Sequence, residues 1–317
     1  MTRSVPPELA APPAATAIRR GGFGRGGPRR REGWWALLFL GPTLIGLFAL
    51  SAGPILASFG IALTDWDLLS PPTFVGLDNF AALMADERFQ MALRNTVFYT
   101  VVSVPIGMVL ALGLALALDQ RVRGIALVRT MYFLPLVTST TAIALVWLWI
   151  YSPQGGLLNT IIGLFGIPAQ KWVSNPVLAM PSIIAMSVWQ GLGFNVIIFL
   201  AGLQAIPQEY YDAAAVDGAG RWARFRQVTL PLLTPTVFFT GILAFIGSFQ
   251  VFDQVYVLAR PGEPTKATIT LVYYIYQRGF DQFKMGLAAS ASWVLFLIVA
   301  ILTIVYFRSQ RRWVHYQ

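Results

Sequence analysis

Two groups of polar residues interrupt an otherwise apolar chain. The stretch SVWQGLGFN supplies Ser187, Trp189, Gln190, Gly191 and Asn195, and GSFQVFDQ supplies Gln250, Asp253 and Gln254. An indole face combined with amides, hydroxyls and a carboxylate suits a polyhydroxyl solute, because a pyranose ring has apolar faces and a rim of hydroxyls. The same amides also act as hydrogen-bonding glue between lipid-embedded helices, and for any one of these residues both readings stand. Asp253 is the strongest site candidate, since an acid near an apolar span requires a reason. Other chemistries lack their residues. There is no cysteine and one histidine, His315, near the C-terminus, which leaves no basis for thiolate, disulfide or histidine-metal chemistry. No GxxxxGK[ST] phosphate loop occurs, so ATP chemistry must come from another chain.

A third group is charged rather than buried. EYYDAAAVDGAGRWARFRQVTLP runs from Glu209 to Pro231 between two apolar runs. Ile206-Pro207 can open a helix with Glu209 and Asp212 near its positive end. Ala213, Ala214 and Ala215 favour helix and leave a low, flat surface. Gly218 and Gly220 permit a sharp turn, and Arg221–Gln227 reads as a second, basic helix. Tyr210, Tyr211, Trp222 and Phe225 are more aromatic surface than a solvated loop needs, and fit a protein interface.

The elements that must carry these groups are membrane spans. Residues are 56% hydrophobic and 12% charged, against about 25% charged in soluble domains, and mean hydropathy is +0.63. A span needs roughly 20 apolar residues. Candidate runs are Trp34–Leu63, Asn95–Leu118, Thr130–Tyr151, Val177–Leu203, a fifth within Gln227–Phe252 continuing toward Leu258, and Met285–Phe307. Seven arginines precede Trp34, and three more lie in each of 119–129, 204–231 and 308–317. By the positive-inside rule both termini and the 204–231 loop are expected in the cytoplasm. The net charge of +9 and the RRGGFGRGGPRRR tract superficially suggest nucleic acid. A basic tail held inside by topology accounts for them better, so no nucleic-acid partner is expected. LLNTIIGLFGIP (157–168) is either a short interfacial helix or a plain covering loop. Trp147, Trp149 and Trp293 read as packing or interfacial anchors.

Asp212-Ala213-Ala214-Ala215-Val216-Asp217-Gly218-Ala219, followed by Phe225 and then Leu230-Pro231, resembles the E-A-A-x-x-D-G-A…L-P loop of the membrane subunits of binding-protein-dependent ABC importers. The first acid here is Asp, one methylene shorter. FVGLDNF (74–80), RFQMALRNT (88–96), TLVYYIYQRGF (270–280) and the ending RRWVHY resemble the carbohydrate-uptake branch, in particular the larger permease of maltose-type and glycerol-3-phosphate-type transporters. The resemblance covers Trp34 to Tyr316. It implies an all-α integral membrane protein of the type I ABC importer permease fold, with six transmembrane helices and cytoplasmic termini. The boundaries expected are a disordered basic tail at 1–33, a first span at 34–63, an extracytoplasmic loop at 64–92, a permease core at 93–307 and a C-terminal tail at 308–317.

The implied setting is a bacterial or archaeal cytoplasmic membrane. The implied partners are a second permease subunit, two ATP-binding subunits, an extracytoplasmic substrate-binding protein, the lipid bilayer and a sugar or polyol. No cofactor is expected in this chain; ATP and Mg would be held by the ATPase. Glu209, Asp212, Ala213, Ala214, Asp217, Gly218, Ala219, Phe225, Leu230 and Pro231 would form the ATPase-coupling loop. In the maltose transporter that the chain resembles, sugar lies midway through the membrane against the helices that correspond to those bearing Ser187, Trp189, Gln190, Gly191, Asn195, Gln250 and Asp253. The alternative is a secondary transporter, which would need mid-span carboxylates that are nearly absent here. A membrane enzyme would need clustered His, Cys or paired acids, and these are missing.

Overall fold

The computed structural model describes residues 29–119, 125–259 and 265–313. Residues 1–28 of the expected tail, 120–124 of the 119–129 loop, 260–264 and 314–317, with His315, lie outside the described residues. The chain divides into two compact units, Met1–Pro54 and Ile55–Gln317.

In the first unit, α1 (Arg29–Leu47) carries Pro42 and passes into a π turn at Phe48–Ala52. The helix starts at Arg29, before the expected boundary at Trp34. Trp34, Phe39 and Leu50 are exposed, as suits a helix that is apolar all round. A Cβ at Gly53 would stand 2.9 Å from the Phe48 carbonyl, to which the Gly53 N–H donates.

The second unit opens within α2 (Gly53–Ala62) and continues into a two-stranded hairpin of β1 (Thr64–Asp65) and β2 (Thr73–Phe74), with Thr64 opposite Phe74. The Asn79 amide, on α3 (Asp78–Ala85), donates to the carbonyls of Ala62 (2.9 Å) and Thr64 (2.8 Å), so the hairpin is pinned by a side chain. The helix α4 (Glu87–Leu118) is capped by Asp86, which accepts from the Arg88 amide at 2.9 Å. It packs along α8 (Ala179–Gln204). The helix α12 (Thr234–Phe249) lies against α4, α8 and α16 (Met285–Trp313).

Among the described residues, four helices are long and apolar enough to cross a membrane, and six runs qualify if each of two bent pairs counts as one span. The expected third span is one of those pairs. It breaks by 111° between α5 (Ile125–Val137) and α6 (Thr140–Ile150). Pro135 removes a helical donor there, and the Thr138 hydroxyl satisfies the Leu134 carbonyl at 2.8 Å. The expected fifth span bends by 63° between Arg221–Leu232 and Thr234–Phe249. Pro235 sits in the first turn beyond the bend, where a missing N–H does no harm.

Buried residues form two clusters. One joins Phe89, Tyr274, Tyr151, Ile183 and Met186; the other joins Ala111, Ala115, Val196, Phe199, Leu203 and Leu233. Small residues set the helix spacing: a Cβ at Gly193 would come 2.2 Å from the Tyr132 carbonyl on α5. The segment expected as a short helix or loop contains α7 (Leu157–Gly163). The buried Asn159 organises it, accepting from Trp172 Nε1 at 2.9 Å and donating to the Gln170 carbonyl at 2.9 Å.

Candidate functional site

A cavity of about 530 Å³ lies between α4, α8 and the end of α12. Two of its walls are stripes of small or polar residues four apart, the spacing that keeps side chains on one helix face. From α8 come Ser187, Gly191 and Asn195, and from α4 come Tyr99, Ser103 and Gly107. The third wall is Gly247 and Ser248 on α12, then Gln250, Asp253 and Gln254 beyond it. Phe194 and Phe252 add apolar faces. Tyr99 lines the cavity together with Ser103 on its own helix and Ser187 on the facing one.

The third wall exists because helix stops at Phe249. Gln250 through Phe252 are irregular before α13 (Asp253–Leu258) begins. The interruption is held. Ser248 Oγ donates to Thr100 Oγ1 at 2.9 Å, and Thr270 Oγ1 donates to the Val251 carbonyl at 3.1 Å, both buried. Irregular backbone at span depth needs such internal partners. Gln250 and Asp253 are exposed into the open side of the cavity.

Trp189 and Gln190 are on another face of α8. Trp189 borders a separate apolar cavity of about 500 Å³, with Trp147, Pro135 and Ile143 at the α5–α6 break. Its ring meets Trp147 edge-on, with centroids 5.6 Å apart. Gln190 Nε2 donates to Thr140 Oγ1 at 2.9 Å, across the first turn of α6. Its Oε1 is buried with no partner among the described residues. Tyr99, Ser103 and Gly107 went unread in the sequence. Their four-residue spacing inside the second apolar run was the available signal.

The charged loop forms two helices with a break. In α9 (Gln208–Val216), Glu209 lies in the first turn and Asp212 accepts from Gln208 Nε2 at 3.1 Å. The helix ends on Gly218 at φ +77°, with Asp217 at its C-cap. Gly218 N–H bonds to the Ala215 carbonyl at 3.1 Å and Ala219 N–H to the Ala214 carbonyl at 2.9 Å, the paired bonds of a left-handed helix stop. Then α10 (Arg221–Arg224) runs through a π turn at Phe225–Thr229 into α11 (Leu230–Leu232), which contains Pro231. Arg224 Nε donates to the Ala219 carbonyl at 2.8 Å, and Tyr211 shares a hydrogen bond of 3.1 Å with the buried Thr229. The two halves are thus tied together. Ala213 and Asp217 are exposed and Ala214 half-buried. Val216 is 88% exposed and Trp222 71%, the latter beside Phe225 at 5.5 Å.

A polar cluster outside the sequence reading fastens the start of α4. Asp86 pairs with Arg278 and accepts from the Tyr274 hydroxyl at 2.6 Å. Tyr274 lies on α15 (Leu271–Tyr276), and the Arg278 guanidinium stacks over its ring at 5.0 Å. Burial pushes the Asp86 carboxyl up, but the Tyr274 hydroxyl, the Arg88 amide and Arg278 together hold it below the usual carboxylate value. Burial and the adjacent carboxylate raise the Tyr274 hydroxyl to about 12.

Long apolar helices, an internal polar cavity and a tied two-helix loop describe a membrane permease. The chain belongs to the family described as the binding-protein-dependent transport system inner membrane component, which it matches over residues 103–314. It is 35% identical to the probable ABC transporter permease protein YesP of Bacillus subtilis, over 91% of this chain and 94% of that one. It is 37% identical to the lactose transport system permease LacF of Rhizobium radiobacter, over 88% and 94% of the two chains. Against the sn-glycerol-3-phosphate permease UgpA of Agrobacterium fabrum the identity is 38%, over 77% and 83%. Its fold matches a bacterial ABC transporter structure involved in alginate import, with a TM-score of 0.80, 24% identity and coverage of 90% and 97%. The chain is therefore a multi-pass permease of a binding-protein-dependent importer and not an enzyme.

Proposed function

We propose that this permease forms one half of the pathway of an ATP-driven sugar or polyol importer, and that the 206–231 loop couples it to a separate ATPase. In this reading the chain crosses the membrane six times, each bent pair counting as one span, and both termini and the loop are cytoplasmic, as the arginine distribution supports. A second permease, two ATP-binding subunits holding ATP and Mg, and an extracytoplasmic binding protein complete the assembly. Relatives named for lactose, for trehalose/maltose and for sn-glycerol-3-phosphate support the solute class.

One observation carries the reading: loop and cavity are two ends of one lever. From Arg221 the helical backbone runs through the buried Leu233 into α12 and ends at the cavity wall formed by Ser248, Gln250 and Asp253. Motion imposed on α9 reaches that wall through the Tyr211–Thr229 and Arg224–Ala219 ties. The exposed Val216, Trp222 and Tyr210 supply the apolar anchors that a docked helix needs.

The test is a photo-crosslinking residue at Val216 in the assembled importer. It is expected to capture the ATPase subunit, with a yield that changes between nucleotide-free and ATP-bound states. Capture of lipid alone, with a fully assembled and active complex, would refute the docking.

A further inference from the structure

The relatives' names leave the charge of the solute open, because lactose is neutral and glycerol phosphate is anionic. The geometry points to a neutral polyhydroxyl solute, with Asp253 acting as a charge filter against phosphorylated and uronic-acid solutes. This rests on the importer reading above and narrows the substrate of the same cavity.

Among the described residues, no lysine, arginine or histidine lines the cavity. Its one ionisable acid is Asp253, which forms no ion pair among the described residues; the single ion pair there is Asp86–Arg278. Recognition of a phosphate or carboxylate normally relies on arginine, lysine or converging backbone N–H groups. None of these side chains is supplied by this wall. An unpaired carboxylate instead raises the free energy of an approaching anion, and the effect strengthens as water is excluded.

The remaining lining suits hydroxyls. Tyr99, Ser103, Ser187 and Ser248 can each donate or accept, and Asn195 and Gln250 offer amides. Asp253 accepts only, matching a rim of hydroxyl hydrogens. A volume of about 530 Å³ falls in the range for small-ligand sites, roughly 300–1,000 Å³. A cationic solute would also tolerate Asp253. However, a single carboxylate among many neutral hydrogen-bonding groups and two phenyl faces favours an uncharged ring.

The experiment uses the complete importer with its own binding protein in proteoliposomes. ATP-driven uptake is compared for maltose, sorbitol, sn-glycerol-3-phosphate, a uronic-acid disaccharide and glucosamine. At least one neutral solute is expected to enter tenfold or more faster than either anion. Asp253→Asn, which keeps the shape and removes the charge, is expected to narrow that ratio at least threefold, while Asp253→Glu preserves it. The binding protein is the same in all three, so a changed ratio belongs to the cavity. ATP-driven entry of an anion at the neutral rate overturns the charge filter, and entry of glucosamine at that rate overturns the assignment of a neutral solute; both leave the importer reading intact. An unchanged ratio in Asp253→Asn, with normal complex yield, also overturns it. Absence of ATP-driven uptake for every solute overturns the sugar or polyol reading and the filter with it.

Discussion

Arg278 forms an ion pair with Asp86 across 192 residues of sequence, and Tyr274 donates to the same carboxylate at 2.6 Å. The pair fixes the start of α4 to the segment leading into α16. Asp86 is also the N-cap of α4, so one carboxylate serves three donors. Its side chain is 17% exposed and that of Arg278 15%, so screening by water is modest. Asp86→Ala is expected to destabilise the purified protein by about 1.5–3 kcal/mol, the range for hydrogen bonds to a charged group. Asp86→Asn keeps a capping oxygen and should lose less. Thermal unfolding in detergent measures both.

The same pair dictates a dependence on pH. Asp86 has a depressed folded value, so its contribution is complete above the unfolded carboxylate value of about 3.9. It is lost as pH falls below that value through the folded one. Wild type should therefore lose unfolding temperature relative to Asp86→Asn only below about pH 4. A gap between the two that is constant from pH 7 to pH 3 would contradict the assignment.

Gly218 sits at φ +77° with open space around it, so a side chain there meets no neighbour but must adopt left-handed backbone. Gly218→Val is expected to abolish uptake while the chain still inserts in the membrane. Gly218→Asn, which tolerates this conformation, should retain most uptake. Equal loss in both variants would mean that the missing side chain, and not the turn, is what the loop requires.

Gly193 makes a different demand. Its added Cβ would stand 2.2 Å from the Tyr132 carbonyl, so Gly193→Ala must push α8 from α5. A loss of about 1–3 kcal/mol is expected for such overpacking, read as lower yield and lower unfolding temperature. Gly191→Ala, with nothing within 4 Å of the added atom, is the control and should be near neutral in stability.

Much of this arrangement was legible in composition and spacing. Long apolar runs announce helices on their own, and Gly218 with three alanines before it announces a helix stop. The bends were harder to read. Pro135 marks the α5–α6 break, but Pro105 sits inside the unbroken α4, and nothing local separates the two. The cavity was half visible. Amides and a carboxylate stand out in an apolar run, whereas Tyr99, Ser103 and Gly107 look like ordinary span residues until α4 is laid beside α8. Trp189 and Gln190 show the converse. They adjoin Gly191 in sequence, yet a helix turns about 100° per residue, which carries them toward Thr140 and Trp147. Asp86 and Arg278 could not be paired at all, because their meeting depends on the whole fold.

The central claim is that the cavity beyond α12 handles solute while Gln190 holds helices together. Uptake and ATPase rate measured together on the same reconstituted importers test it most directly. For Gln250→Ala and Asp253→Ala, uptake should fall severalfold, in keeping with a lost hydrogen bond of roughly 0.5–1.5 kcal/mol or more, and the ATPase rate should fall much less. For Gln190→Ala, which removes the bond to Thr140, complex yield, ATPase rate and uptake should fall in step. If yield and ATPase rate tracked uptake for Gln250→Ala and Asp253→Ala as well, the cavity would be structural and the account of the solute path would be wrong.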